Sequence, residues 1–408
     1  MRPSDVDNRV ETTLHCERTA AIKLAALGCR VIRSRDELEQ MRGTWSQLAK
    51  HPSGDFDQFR MIMRSPEWAA YEPCVLAIYE DGECISIVAG LVHETLFEVA
   101  SGLRVFWRAQ IRELVLYGHF VIGETNSEIS EFAVQRLLDF MIPARIDLIM
   151  CLNVPWESPL RRLLQLSPPL LFRDYLAVRR DYWVMRLPGS LEEVLQHQLN
   201  KKRRYWARRV LRQFEKAFSG RFEYVRFSST TDVETFFRDA QLISRRTCAR
   251  NGFRGSVEER EWLTRLAKAG EMRAITLYID KEPVSYWMSV QREPRLYLQA
   301  TCYDPAFSRF EPGTLVLLQV IEDACREGLD YLDMGPGPYP LKRYSNAEFP
   351  VWDFMVFSPN CRGALLNIVR LLVRVPAELC KRGARKLGIE SPLRQFWSKK
   401  PTANAPNG

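Results

Sequence analysis

Two stretches of this 408-residue chain read in the same order of elements, and that repetition constrains the fold more than any other feature. In the first stretch, residues 29–33 read as a strand. Asp36 can cap a helix over 36–49, where Leu38, Met41, Trp45 and Leu48 recur at helical spacing. A second helix follows at 58–65. Strands at 74–79 and 83–93 flank Glu80-Asp81-Gly82, which is hairpin chemistry. A strand at 111–119, an amphipathic helix at 127–141, a buried strand at 146–152 and a short helix at 161–166 complete the set. The second stretch starts with a strand at 182–187. Ser190, with Glu193 three residues on, opens one long helix to 218. A strand at 222–227 and helices at 231–249 and 256–269 follow, then a hairpin of 272–279 and 283–291 around Asp280-Lys281. Next come a strand at 295–303, a helix at 313–326 begun by Pro312, and strands at 329–334 and 351–358. Each stretch reads strand, helix, helix, three antiparallel strands, helix, strand. The expectation is a duplicated α/β (α+β) unit with mixed, largely antiparallel sheets. The units would run over 29–180 and 181–358, between a flexible leader at 1–28 and a basic amphipathic helix and tail at 359–408, disordered from 398.

Hydrophobic residues at 46% and charged residues at 26% fit a globular chain and exclude bulk disorder. No apolar run is long enough to span a bilayer, and the start carries no apolar core of a secretory signal. The ten cysteines are scattered, with no C-x-x-C pair, so they read as reduced thiols of a cytoplasmic protein and predict no metal site. The five histidines are His15, His51, His93, His119 and His197, and none lies after His197, so chemistry in the second half beyond it is expected to run without imidazole.

The net charge of +8 is unevenly spread. Residues 201–216 carry a net +7 and residues 361–400 a net +8, on an otherwise mildly acidic chain. Such segments predict local contact with an anion. For 201–216, which includes Tyr205 and Trp206, the alternatives are a solvated face or a site for a nucleotide-sugar phosphate, tRNA or acidic lipid. Nucleic acid is otherwise disfavoured, because no RNA-binding signature accompanies the charges. For 361–387 they are an anionic membrane surface, at the inner membrane face, or packing across the two units.

Several segments carry a family resemblance. They are Leu199-Asn200-Lys201-Lys202-Arg203-Arg204-Tyr205-Trp206, then Arg246-Thr247-Cys248-Ala249-Arg250-Asn251-Gly252. They continue with Ala300-Thr301-Cys302-Tyr303-Asp304-Pro305 and Pro312-Gly313-Thr314-Leu315, ending at Gly328 to Gly337. Their order resembles the GNAT acyltransferase fold. The doubled form resembles the FemAB-like members, and the match is similar to the CelD-type acetyltransferases (with a BioF2-like acetyltransferase domain) linked to cellulose and exopolysaccharide synthesis.

That resemblance implies an acetyl or acyl group moved from acyl-CoA, a cosubstrate rather than a resident cofactor, to an amine or hydroxyl acceptor. The acceptor would be polyanionic or sugar-containing. Because no Ser/His/Asp set or activated cysteine is visible, direct attack in a ternary complex is expected. By the resemblance, the donor arm lies along Ala300, Thr301 and Cys302, and the pyrophosphate meets the helix start at Gly313 and Thr314 with Arg309 as a cation. The pyrophosphate loop is degenerate here, reading Arg309-Phe310-Glu311-Pro312-Gly313-Thr314. Asp333 ends an apolar strand and leads into a Gly/Pro loop with Tyr339, Lys342 and Tyr344, where ligands of such sheets bind. Lys342 would hold the oxyanion and one tyrosine would protonate the thiolate. Asp304, Asp333 or a chain of waters are the alternatives for a general base. Two other readings stay open: a FemX-like transferase drawing on aminoacyl-tRNA, and a GNAT-fold binding module without catalysis.

Overall fold

The computed structural model describes residues 27–64, 71–101, 104–247, 252–292, 294–336 and 346–386. In chain order the first elements are β1 (Leu27–Ile32), α1 (Arg35–Gln40), α2 (Arg42–Leu48), α3 (Phe56–Arg64), β2 (Glu72–Glu80), β3 (Glu83–Ser101) and β4 (Arg104–Gly123). Then come α4 (Ser127–Met141), β5 (Leu148–Pro155), α5 (Pro159–Leu166), β6 (Val178–Arg186), α6 (Leu191–Gln198), α7 (Lys201–Phe218) and β7 (Phe222–Phe227). The rest are α8 (Val233–Arg246), α9 (Val257–Lys268), β8 (Met272–Ile279), β9 (Glu282–Arg292), β10 (Arg295–Tyr303), α10 (Pro312–Arg326), β11 (Tyr331–Pro336), β12 (Asn346–Phe357) and α11 (Cys361–Lys386). Short 3-10 turns lie at Pro52–Gly54, Leu170–Phe172 and Pro305–Phe310.

The described residues form two compact units. Their described parts fall within 27–48, 71–178 and 352–386 for unit 1, and within 49–64 and 179–351 for unit 2. In unit 1 the strand order is β1-β2-β3-β4-β5-β12, antiparallel through β4 and parallel between β4 and β5. In unit 2, β7-β8-β9-β10 are antiparallel, β10 and β11 are parallel, and β6 closes the row against β11. Five consecutive strands thus repeat with one pairing scheme. The sixth strand of each row comes from outside its run of five.

The boundaries differ from a split at 180 in two ways, each driven by burial. Residues 49–69 join unit 2, where Met61 packs against a cluster holding Phe236, Trp262 and Tyr286, and Asp55 pairs with Arg265 and Arg292 at 3.2 and 2.9 Å. The end of β12 joins unit 1, where Phe354 and Val356 enter the core formed by β2, β4, β5 and α4. In unit 2 one sheet face packs on α6, α7 and α10 and the other on α8 and α9.

Two expected helices are interrupted. The 36–49 segment is α1, capped by Ser34 rather than Asp36, followed by α2. The 190–218 segment breaks at Leu199, which is extended and buried. The Asn200 side chain then accepts the Arg203 N–H at 3.0 Å and starts α7 afresh. The β3–β4 hairpin is much longer than 83–93 and 111–119 suggested. Phe97 and Val99 point inward between exposed Leu96 and Glu98, so the alternation continues to Ser101.

Candidate active site

The chemistry of unit 2 centres on a fork between two parallel strands. β10 pairs with β11 only at Arg295–Tyr331, Leu296–Leu332 and Tyr297–Asp333, although β10 runs on to Tyr303. Both strands are bent there. Gln299 is an extra residue against β9, and the β11 register against β6 shifts between Asp333 and Gly335. The Gln299 bulge also reverses the facing of β10. Leu298 packs on the α10 side, whereas Ala300 and Cys302 pack on the α8 side.

Asp333 sits at the base of the fork and is only 4% exposed. Its Oδ1 accepts the N–H of Gly335 at 2.9 Å, across a turn in which Gly335 has φ +67°, a conformation that suits glycine. Its Oδ2 accepts the Tyr182 hydroxyl at 3.2 Å. The Tyr182 ring stacks on Phe349 at 4.7 Å, and its oxygen lies 3.4 Å from His51 Nε2. His51 Nδ1 accepts the Ser53 N–H at 3.1 Å, and the imidazole packs edge-on against Tyr297 at 4.7 Å. With Nδ1 accepting, the ring proton is assigned to Nε2, aimed at Tyr182. Burial, reinforced by Arg292 and Arg295, pushes the His51 pKa down to about 4, so the ring is neutral at pH 7. Burial and the Asp333 charge push the Tyr182 hydroxyl well up. The result is a chain of directed hydrogen bonds, His51 to Tyr182 to Asp333, ending on a carboxylate.

The expectation of chemistry without imidazole considered only the chain after His197, and it did not reckon with His51. His51 precedes β2 in sequence, yet it folds into unit 2 with α3. The signal open to sequence reasoning was weak: a His-Pro-Ser-Gly turn before a helix, which says nothing about what the imidazole meets.

The other expected residues divide. Thr301 Oγ1 donates to the Tyr286 carbonyl at 2.9 Å, and the Cys302 thiol is buried and pushed up in pKa by that burial. Ala300, Thr301 and Cys302 therefore offer backbone, not side-chain, groups to the fork. Gly313 and Thr314 are buried at the start of α10, where Glu311 adopts φ +52° and no side chain caps the backbone. Glu311 instead accepts the Thr314 hydroxyl at 3.4 Å. Arg309 is exposed, with its guanidinium 4.5 Å from the Phe310 ring centre. Asp304 is committed elsewhere: it pairs with Arg246 at 3.0 Å and caps the Pro305–Phe310 turn. Tyr339, Lys342 and Tyr344 lie outside the described residues. Among the described residues no His, Cys, Asp and Glu cluster could hold a metal ion.

The corresponding fork in unit 1 is filled. β4 and β5 pair over five positions, from Glu113–Leu148 to Tyr117–Leu152. At the next residue, a Cβ built on Gly118 would overlap the Asn153 carbonyl oxygen and lie 2.9 Å from Val154 Cα. The helix of that unit, α4, is also closed, because the Asn126 side chain accepts the Ile129 N–H at 2.9 Å.

A family model described as an acetyltransferase (GNAT) domain matches residues 201–343, which contain β7 to β11 and the fork. A search of curated protein sequences gave no match. Among solved structures the chain is similar to FemX, at 10% identity and a TM-score of 0.48, covering 84% of this chain and 100% of that one. It is also similar to the C-terminal domain of a putative lysylphosphatidylglycerol synthetase from Agrobacterium fabrum (10%, TM-score 0.49, covering 83% and 98%). A tandem GNAT protein from the clavulanic acid biosynthesis pathway gives 10%, a TM-score of 0.44, and coverage of 82% and 99%. The fold is that of GNAT proteins, and with the match over residues 201–343 the protein is a GNAT-fold acyltransferase.

Proposed function

We propose that unit 2 transfers an acetyl or other acyl group from acyl-CoA to an amine or hydroxyl of a sugar-containing acceptor, in polysaccharide or cell-envelope synthesis. The observation that carries this is the open β10–β11 fork, leading to an α10 start with no side-chain cap and based on the buried Asp333. In this reading the thioester arm lies along 298–303 and its pyrophosphate meets Gly313, Thr314 and Arg309. The Asp333 carboxylate, which accepts from Tyr182 and Gly335, is the acid group at the base of the fork that would take the proton of the attacking group. The acceptor nitrogen or oxygen attacks the thioester carbon, the C–S bond breaks, and its proton goes to Asp333. Lys342 meets the oxyanion, and Tyr339 or Tyr344 returns a proton to the CoA thiolate.

A second reading, aminoacyl transfer from tRNA, is favoured by α7. Its Ala207, Val210 and Phe214 are buried, while Lys201, Arg208, Arg212 and Lys216 are exposed around Tyr205. A thermal-shift comparison separates the two. Acetyl-CoA at about a hundred times its Kd should add roughly 2.7 kcal/mol of stability, and Gly313→Glu should abolish that shift. A shift with tRNA but none with CoA would select the second reading. No shift with either would leave a binding module.

A further inference from the structure

The last helix, α11, is apolar on two sides. Its inward side packs Leu366, Val369 and Val373 on Phe97, Leu148 and Phe357, and carries two polar groups held by specific bonds. Arg370 pairs with Asp174 at 2.6 and 3.3 Å, and Asn367 donates to the carbonyls of Leu171 and Arg173 at 2.8 and 2.9 Å. Its outward side carries Leu365, Ile368, Leu372, Val375 and Leu379, at steps of three and four residues that align on one stripe. Leu365, Leu372 and Leu379 are 53%, 70% and 61% exposed. The Leu170–Phe172 turn, bonded to α11 through Asn367, adds exposed Leu170 and Leu171 to the same unit. A contiguous apolar stripe of this kind is a surface built to be covered.

Charge decides what covers it. Besides Arg370 and Arg362, which pair with Asp174 and Asp147, α11 carries Arg374, Lys381, Arg382, Arg385 and Lys386 in sequence against the single acid Glu378. A second copy of α11 would bring cations against cations. The seam also spans only about two heptads, short of the three or four that sustain a coiled coil, and Pro376 interrupts it. A cationic helix with an aliphatic face matches a surface that is both anionic and hydrocarbon-backed.

We propose that α11 lies in the headgroup boundary of an anionic bilayer, with the Leu365–Ile368–Leu372–Val375–Leu379 face inserted and its bases on the lipid phosphates. No helix among the described residues is long and apolar enough to cross a membrane, so this contact is peripheral through α11.

The test is co-sedimentation of the full chain with vesicles of phosphatidylglycerol mixed with phosphatidylcholine, and with phosphatidylcholine alone. Binding is expected to the mixed vesicles, weak to the neutral ones, and falling as salt rises. Leu372→Glu, and separately Leu379→Glu, should lower the partition coefficient by about tenfold or more, because each removes apolar contact and sets a carboxylate against anionic headgroups. Both side chains are exposed, so an unchanged melting temperature certifies the fold. Absence of binding to the anionic vesicles overturns the proposal, as does undiminished binding by both variants. A dimer dissolved by Leu372→Glu, with no vesicle binding, also overturns it and assigns the face to a second copy.

Discussion

Replacing His51 with Asn tests whether the imidazole really stands buried and neutral beside Tyr182. The Asn side chain can still accept the Ser53 N–H, as Nδ1 does, but it cannot titrate. In the unfolded chain His51 has its ordinary pKa of 6.5, and in the native protein burial lowers it to about 4. Between these values the unfolded state binds more protons, so stability rises with pH. The stability associated with the neutral ring is therefore fully present above pH 6.5 and is lost as pH falls towards 4. Linkage with these two values gives a loss of about 2 kcal/mol between pH 7 and pH 5, and about 3 kcal/mol once both states are protonated. For a unit of this size each kcal/mol moves the melting temperature by roughly 2–4 °C. Melting the wild type and His51→Asn at both pH values should show the wild type losing about 4–8 °C more than the variant on acidification. Parallel losses in the two proteins would refute the reasoning, because His51 would then be protonated alike in both states.

Four other outcomes are expected. Asp333→Asn should lower kcat by about 100-fold or more in a steady-state assay, as loss of a general base does, and acetyl-CoA binding followed by thermal shift should persist. Lys342→Ala should lower kcat about 100- to 1000-fold with little change in acyl-CoA affinity, since a cation that meets charge only in the transition state adds little to the ground state. Of Tyr339→Phe and Tyr344→Phe, one should lose turnover and the other stay near wild type; full turnover in both and in Lys342→Ala would make the loop structural. Gly118→Ala should destabilise by about 1–3 kcal/mol in chemical denaturation, because its Cβ has no room against Asn153 and Val154.

Much of the fold was legible in the sequence because it is encoded locally. Asp81-Gly82 and Asp280-Lys281 take the positive φ values that a tight hairpin needs, and the apolar runs on either side of them read as strands. Pro312 opens α10 and Gly328 follows its end. Such signals depend on a few neighbouring residues, so the order of elements and its repetition survive without knowledge of any partner. The place of Asp333 at the end of an apolar strand was legible in the same way, whereas Ala300 and Gly313 were named from the family resemblance.

The rest depends on contacts far apart in the chain. Nothing near His51 reveals that it will meet Tyr182, which is 131 residues away, or that Tyr182 will meet Asp333 after another 151. Leu199 breaks a helix because a core awaits it and Asn200 can restart the next one, and the pattern alone reads as continuous. The two forks have like sequence patterns, but only backbone packing at Gly118 fills one, while the Gln299 bulge opens the other. In α11 the amphipathic pattern reads both ways. Asp174, 196 residues before Arg370, holds Arg370 inward, and Leu365, Leu372 and Leu379 are left facing outward. Local sequence sets what each element is; burial and pairing between distant residues set which face it shows and what chemistry it meets.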